Sequence, residues 1–513
     1  MTRRFVRFIA GSSLALATLG PVTPPAAIAA SAPQGITQQI RSASSGKFRK
    51  FYKARNFLPI WARKGTIGPE ADAFIAVLRA SRQDGLDPSD YAPDALKQAV
   101  DLARSGAPNM LGKAELKLSR AFYAYVRDIR APRSGSDRII YADKRLAPKR
   151  LAPADVLTPL AIAPSLSGYI DDMAWMNPFY VDLRTAIADF HERWGALPPV
   201  AIAQGAALKA GAAGDRVRLL RRRLGLPDQA KFDKTVTARL KLFQAQHGLK
   251  ATGIVDADTL AALNRDSAGY EARMRLNLER ARLLPPASVR QIVVNLASAR
   301  LWMIDGKLSY SDSMRVVVGA PDEKTPVMAG MLSYAILNPY WNVPTDLVQK
   351  RVARRVLNGQ SFTGLRYQAL SDWTANATIL PPDSINWQDV ADGRRELRVR
   401  MLPGGENFMG KVKFMLPNDL GIYLHDFPDK SIFDQADRHI SSGCIRLEQA
   451  ARLGQWLFDK PLQTTSTAPE QVVSLPKPVP VYITYLTVVP TKTSIAFLDD
   501  PYGRDGRASY ASR

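Results

Sequence analysis

Two short stretches decide how this chain folds and where its chemistry lies: Gly421-Ile422-Tyr423-Leu424-His425, and then Ser441-Ser442-Gly443-Cys444-Ile445-Arg446-Leu447-Glu448. The first reads as a strand that delivers His425 at its end. The second sets the only cysteine of the chain, Cys444, between a glycine and an arginine. A thiolate is the nucleophilic form of cysteine, and an ordinary thiol is only a few per cent ionised at neutral pH. A neighbouring imidazole and a cation shift that equilibrium. Gly443 allows the sharp turn that brings backbone amides near an oxyanion. Two of the four histidines, His425 and His439, lie within nineteen residues of Cys444. A cysteine buried as a small hydrophobe has no need of them. The pattern therefore points to thiol catalysis, with either histidine open as its base on spacing alone.

Chain order narrows the thiol chemistry. Papain-like peptidases place the histidine more than a hundred residues after the cysteine, and caspases about 50 residues before it. Here 69 residues follow Cys444 and none is a histidine, so the base comes from a shorter upstream gap.

Outward from the cysteine, residues 288–490 alternate with period 2. Examples are Gln291–Leu296, Arg300–Asp305 before an Asp305-Gly306 turn, Arg315–Gly319, Lys411–Met415 and Val479–Tyr485. A polar, basic insertion at 343–403 interrupts them, helical over 346–357 and carrying Trp373 and Trp387. An insertion of this size in a β domain is expected to cap a site. Residues 205–266 show three short helices with glycine punctuation: Val217, Leu220 and Leu224, then Val236, Leu240 and Phe243, then 259–264. Residues 36–204 are expected to be mostly helical, with helices over 71–80, 116–129 and 173–194 and an Asp87 or Ser89 cap. His191 there belongs to no catalytic cluster, and His247 reads as structural. Residues 491–513 read as a tail. The fold class is α+β multidomain: a helical scaffold, a small three-helix module and a mainly β domain with a capping insertion.

At the N-terminus, Arg3, Arg4 and Arg7 precede an apolar run from Phe8 to Leu19 and small residues at 27–30. That is the pattern of a signal peptide at 1–30, too short and proline-interrupted for a bilayer span. Export is expected, with membrane attachment only if the segment stays uncleaved. The whole chain has 513 residues, 46% hydrophobic and 23% charged, with formal charge +23. Wholesale disorder is excluded by that composition, and a disulfide scaffold or cysteine-cluster metal site by the single cysteine. Net charge alone would suggest nucleic acid, but no nucleic-acid motif accompanies it.

Two resemblances complete the reading. Leu208, Gly211, Gly214, Val217, Leu220, Phe243, Gln244, His247, Gly248, Leu249, Gly253, Val255, Thr259, Leu260, Leu263 and Asn264 resemble the frame of the bacterial peptidoglycan-binding domain type 1. The Ser-Ser-Gly-Cys-Ile-Arg stretch resembles the YkuD-type L,D-transpeptidase catalytic domain, and is similar to its YcbB-like subgroup in particular. Val318-Gly319 with Lys324-Thr325-Pro326, Leu337 to Pro344, Gly410 to Phe414, Pro417-Asn418 and Tyr423 to Asp426 carry that similarity. Phe51-Tyr52, Trp61 and Gly85 to Pro88 extend it, more weakly, to the scaffold.

The resemblance implies acyl transfer on peptidoglycan stem peptides through a Cys444 thioester. His425 would be the base, oriented by the backbone carbonyl of Asp426, while His439 sits at a position variable in the subgroup. Backbone amides of Gly443 and Cys444, with Tyr423, would hold the oxyanion. Ser442 stands where many members carry histidine and bears on specificity. Arg446 would orient the cysteine loop or a substrate carboxylate, or else pair with Glu448; Trp341 and Trp373 would line the groove or simply pack. No cofactor or metal is implied, and carbapenem-type inhibitors are expected to acylate the thiol. The alternatives are hydrolysis of the thioester (an L,D-carboxypeptidase), envelope proteins as acceptors, or a non-enzymatic wall-binding protein.

Overall fold

The computed structural model describes residues 34–131, 139–195, 197–198, 200–265, 267–286, 288–306, 310–404, 406–464, 466–491 and 495–507. The signal-peptide reading falls outside them. Among the described residues no helix is long and apolar enough to cross a membrane. The chain divides into two compact units, one of residues 1–72 with 94–121, the other of 73–93 with 122–513.

In the first unit a buried carboxylate organises the aromatic residues. Glu115 is fully buried and accepts from the Tyr52 hydroxyl at 2.7 Å and from the backbone N–H groups of Ile60, Trp61 and Ala62 at 2.7–3.2 Å. Burying a carboxylate is tolerable only with its oxygens satisfied in this way.

In the second unit Asp84 plays the same part, taking the hydroxyls of Tyr125 and Tyr180 and the guanidinium of Arg184. The helix expected from residue 173 begins instead at Pro178 and runs to Phe190, because the Asn177 side chain accepts from Tyr180 N–H and caps it. The three-helix module is capped by aspartates: Asp233 bonds Val236 N–H ahead of Lys234–Gln246, and Asp256 bonds Thr259 N–H ahead of Ala257–Asn264. Gln244 ties its last turn together, donating to the Ile254 carbonyl and accepting from Gly253 N–H. A further helix, Ser267–Arg282, has no clear apolar period in the sequence and was not expected. Its Arg273 and Arg280 both pair with Asp505 in the C-terminal segment.

The β region closes on itself. Its strands are β1 (Arg290–Asn295), β2 (Arg300–Asp305), β3 (Tyr310–Gly319), β4 (Met328–Leu337), β5 (Val412–Met415), β6 (Leu424–Asp426), β7 (His439–Ser441), β8 (Ile445–Leu447) and β9 (Gln471–Thr484). They pair in the ring β4–β5–β6–β8–β3–β2–β1–β9, and β9 returns to β4, so no edge is left in the ring. β7 pairs with β3 outside it. The interior holds Val294, Leu301, Val316, Val318, Leu332, Ala335, Phe414 and Val481, all fully buried.

The insertion leaves after β4 and returns at β5. It folds around its own core of Val343, Val348, Val352, Phe362, Tyr367 and Val399. Four short strands, Trp341–Val343, Arg398–Met401, Tyr367–Leu370 and Ile379–Leu380, pair in that order, with helical turns at 345–357. The expected tail is a structural element. Val488–Pro490 pairs with Ile495–Phe497, and Phe497 and Tyr502 are buried. Its apolar residues are too widely scattered to show a period.

Candidate active site

β6 and β8 run parallel, with Leu424 opposite Ile445 and His425 opposite Arg446. One residue back the register continues, since Ile445 N–H bonds the Tyr423 carbonyl at 3.1 Å and Tyr423 comes abreast of Cys444. Side chains alternate along a strand, so Tyr423, His425, Cys444 and Arg446 share one face. Leu424, Ile445 and Leu447 take the opposite face and are fully buried. The strand pattern thus positions the polar residues by burying the apolar ones.

The turn before Cys444 needs its glycine: Gly443 has φ +100°, in the left-handed region. Both peptide units that follow it are pinned. Thr325 Oγ1 donates to the Gly443 carbonyl at 2.7 Å, and Ser441 Oγ to the Cys444 carbonyl at 2.7 Å. The Cys444 sulfur lies 3.5 Å from the Gly421 carbonyl oxygen. Tyr423, abreast of that sulfur, favours its charged form through both its backbone and its hydroxyl.

Burial dominates the electrostatics. It pushes the Cys444 thiol above its ordinary value, although the Tyr423 hydrogen bonds and the charge of Arg446 act against it. His425, 2% exposed, is pushed down to about 4, first by burial, against the Asp426 carbonyl that favours its charged form. At neutral pH both groups are therefore uncharged. The expected activation of the thiol by a nearby cation is present but outweighed by desolvation. His425 Nδ1 donates to the Asp426 carbonyl at 2.6 Å, which in the neutral ring leaves Nε2 as the acceptor nitrogen.

The other candidates separate. Arg446 does not pair with Glu448, whose carboxylate is taken by Arg315 at 2.7 Å. Its guanidinium instead lies over the Phe427 ring, 4.4 Å from the centroid, and makes no ion pair among the described residues. Phe427 continues through Phe408 at 5.8 Å to Trp341 at 4.6 Å, so Trp341 packs into an aromatic row leading from the insertion to the cysteine strand. Trp373 is 60% exposed. The Asp426 carboxylate is occupied by Lys411 N–H at 2.9 Å and Lys430 at 2.7 Å, so only its carbonyl serves the cluster. Ser442 is exposed at the tip of the loop. His439 faces away, with Nδ1 on Asp437 at 2.7 Å and Nε2 on the Leu296 carbonyl at 2.9 Å.

Three stretches of the chain match known family models. Residues 289–481 match the model of the YkuD family, the L,D-transpeptidase catalytic domain. This β region is thus similar to an L,D-transpeptidase catalytic domain. It is joined to residues 46–187, which match a scaffold domain, and 214–263, which match a "Putative peptidoglycan binding domain". A "Putative L,D-transpeptidase" of Haemophilus influenzae is 30% identical over 247 residues, 47% of this chain; the chain spans about half of that relative (49%). An L,D-transpeptidase structure from Mycobacterium smegmatis aligns over 38% of this chain and 58% of its own, at 13% identity and TM-score 0.19. A structure of the Ldtfm-avibactam carbamoyl enzyme aligns over 39% and 50%, at 10% identity and TM-score 0.19. Neither superposition is close enough to bear on the fold.

Around the cysteine, residues that the sequence did not single out for the site complete the loop: Ser441, Thr325 and Tyr502. All three are buried. Thr325 stands in the Lys324-Thr325-Pro326 motif, a usable signal; Tyr502, far along in the expected tail, has none.

Proposed function

We propose that this chain is a periplasmic L,D-transpeptidase of the YcbB-like subgroup, cross-linking peptidoglycan through a Cys444 thioester. The observation that carries the reading is the buried His425 ring, its Nδ1 held on the Asp426 carbonyl, on the same sheet face as Tyr423 and Cys444. Nε2 of His425 takes the thiol proton as the sulfur attacks the carbonyl on the L-centre of the third stem-peptide residue. The Cys444 N–H and the Tyr423 hydroxyl stabilise the oxyanion. D-Ala at position four leaves, protonated by the imidazolium, and the thioester remains. The amine of a neighbouring stem peptide then attacks the thioester carbonyl and gives up its proton to His425; the C–S bond breaks, the imidazolium returns the proton to sulfur, and the amide cross-link forms. A neutral resting pair suits this sequence, because charge appears only as the carbonyl is attacked.

Arg446, held over Phe427 without a carboxylate partner among the described residues, is the residue to receive a carboxylate of the stem peptide. The insertion, coupled to this strand by the Trp341–Phe408–Phe427 row, acts as a cap that excludes water, which would otherwise compete with the amine. The peptidoglycan-binding domain supplies attachment to the wall.

Intact-mass measurement after incubation with a carbapenem tests the thiol step. One adduct is expected on the wild type and none on Cys444→Ala; a wild type without an adduct overturns the reading. Incubation with tetrapeptide-bearing muropeptides then separates the reactions: cross-linked dimers are expected, and tripeptides alone would make the enzyme a carboxypeptidase.

A further inference from the structure

The peptide bond between Gly443 and Cys444 is held by a hydrogen-bond relay that begins in the C-terminal segment. Tyr502 Oη donates to the Gly319 carbonyl at 2.6 Å and accepts from Thr325 N–H at 3.4 Å. Gly319 N–H donates to Thr325 Oγ1 at 2.9 Å, and that hydroxyl spends its one proton on the Gly443 carbonyl at 2.7 Å. The direction of the chain is therefore fixed: Gly319 N–H to Thr325 hydroxyl to Gly443 C=O. In a trans peptide the carbonyl and the following N–H point oppositely, so anchoring Gly443 C=O on Thr325 aims Cys444 N–H away from it. That N–H makes no hydrogen bond among the described residues.

The relay is built rather than incidental. Thr325 is fully buried and Tyr502 is 3% exposed, with its ring stacked on Tyr485 at 5.4 Å. A side chain on Gly319 would strike the Glu323 carbonyl and Thr325 N–H, so the hairpin carrying Thr325 closes only over glycine. The opposite side of the loop is fixed independently, by Ser441 on the Cys444 carbonyl. With φ of +100° at Gly443, the peptide between these anchors would otherwise be free to rotate.

We propose that Thr325 and Tyr502 are positioning residues that hold the Gly443–Cys444 peptide so that Cys444 N–H serves as the oxyanion donor. The proposal rests on Cys444 being the acylated nucleophile and adds which residues set its oxyanion site. Neither residue touches the reacting atoms. Their effect falls on carbonyl substrates, where negative charge develops on oxygen, and not on reactions of the sulfur that need no oxyanion.

Two reagents on the full-length protein separate these effects. Meropenem acylates: the thiol sulfur bonds to the β-lactam carbonyl carbon, the C–N bond breaks, and the thiol proton passes to the ring nitrogen. Iodoacetamide alkylates: sulfur displaces iodide at carbon, and no oxyanion forms. Thr325→Val is expected to slow acylation by about 10- to 100-fold, below the full loss of one oxyanion donor, and to leave alkylation within about twofold. Thr325→Ser, which keeps the hydroxyl, restores acylation, and Tyr502→Phe slows it by about 3- to 10-fold. Unchanged acylation in Thr325→Val, or equal slowing of acylation and alkylation, overturns the proposal. Should Thr325→Val fail to fold, the same ratio measured on Tyr502→Phe decides it. A wild type that is alkylated but never acylated is a separate outcome, and overturns the function reading together with this one.

Discussion

The three-helix module and the β region each hold one buried histidine, and the two are close to twins. His247 and His425 are 7% and 2% exposed. Each points Nδ1 at a backbone carbonyl, Phe243 at 2.7 Å and Asp426 at 2.6 Å. Burial pushes the first down to about 3 and the second to about 4. They differ in what surrounds the rest of the ring. His247 is stacked on Phe243 at 3.7 Å, with Phe190, Trp194, Tyr270 and Phe497 at 5.0–5.9 Å. His425 has Tyr423 at 5.7 Å and lies on the sheet face that carries Cys444. Burial and a shifted pKa therefore do not mark a functional histidine; a nucleophile on the same face does.

The largest effect expected from this contrast is on rate. His425→Ala should slow meropenem acylation by about 10³-fold, within the usual range for loss of a general base, while His247→Ala leaves it within about twofold. Stopped-flow acylation of both variants makes the comparison; an equal loss in the two would erase the distinction. Stability should show the reverse. His247→Ala opens a cavity among five aromatic rings, and about 3 kcal/mol is expected from losing a large buried ring, seen as a lower urea midpoint.

Acid pH sharpens the comparison further. Both histidines have folded pKa values depressed below the unfolded 6.5, so below that pH the unfolded state binds more protons and stability falls as pH falls. Each buried ring contributes about 2 kcal/mol of loss between pH 6.5 and 5. His247→Phe, which keeps the aromatic packing, should halve that slope in urea unfolding. It should not move the acid limb of the acylation rate, which belongs to His425 and is expected near pH 4 and not near 6.5. An acid limb at 6.5 would mean that the imidazole is not buried in the working enzyme.

Sequence and structure part company in a consistent way. The β6 and β8 stretches were legible because period 2 and a lone cysteine leave little freedom, and strand register then puts His425 and Cys444 on one face. The three-helix module was legible through its glycines and the spacing of its apolar residues, while its aspartate caps emerge only from the fold. What was not legible depends on contacts between distant segments. Helix Ser267–Arg282 is too arginine-rich to show an apolar face, and it is held by Asp505. Tyr502 reaches the cysteine loop through Gly319, 183 residues away in sequence. Arg446 had a plausible local partner in Glu448, and only the fold shows that Arg315 takes that carboxylate. Local pattern carries the elements, while the anchoring of the site is long-range.

The smallest effect expected is at His439, the histidine nearer to Cys444 in the chain. Proximity in sequence favours it as base, but a base needs a nitrogen lone pair facing the thiol. Both of its nitrogens face oxygens instead, those of Asp437 and of the Leu296 carbonyl. The bond to Leu296 ties β7 to the loop after β1, a structural task. The ring also packs edge-on against Tyr502 at 5.8 Å, one step from the relay that holds the Gly443 peptide. His439→Ala should therefore cost about 1 kcal/mol, the usual net worth of a hydrogen bond, and slow acylation by about twofold through a loosened Tyr502. Alkylation by iodoacetamide should stay unchanged, since it needs no oxyanion. A thousandfold loss of acylation in His439→Ala, with His425→Ala still active, would reverse the assignment of the base.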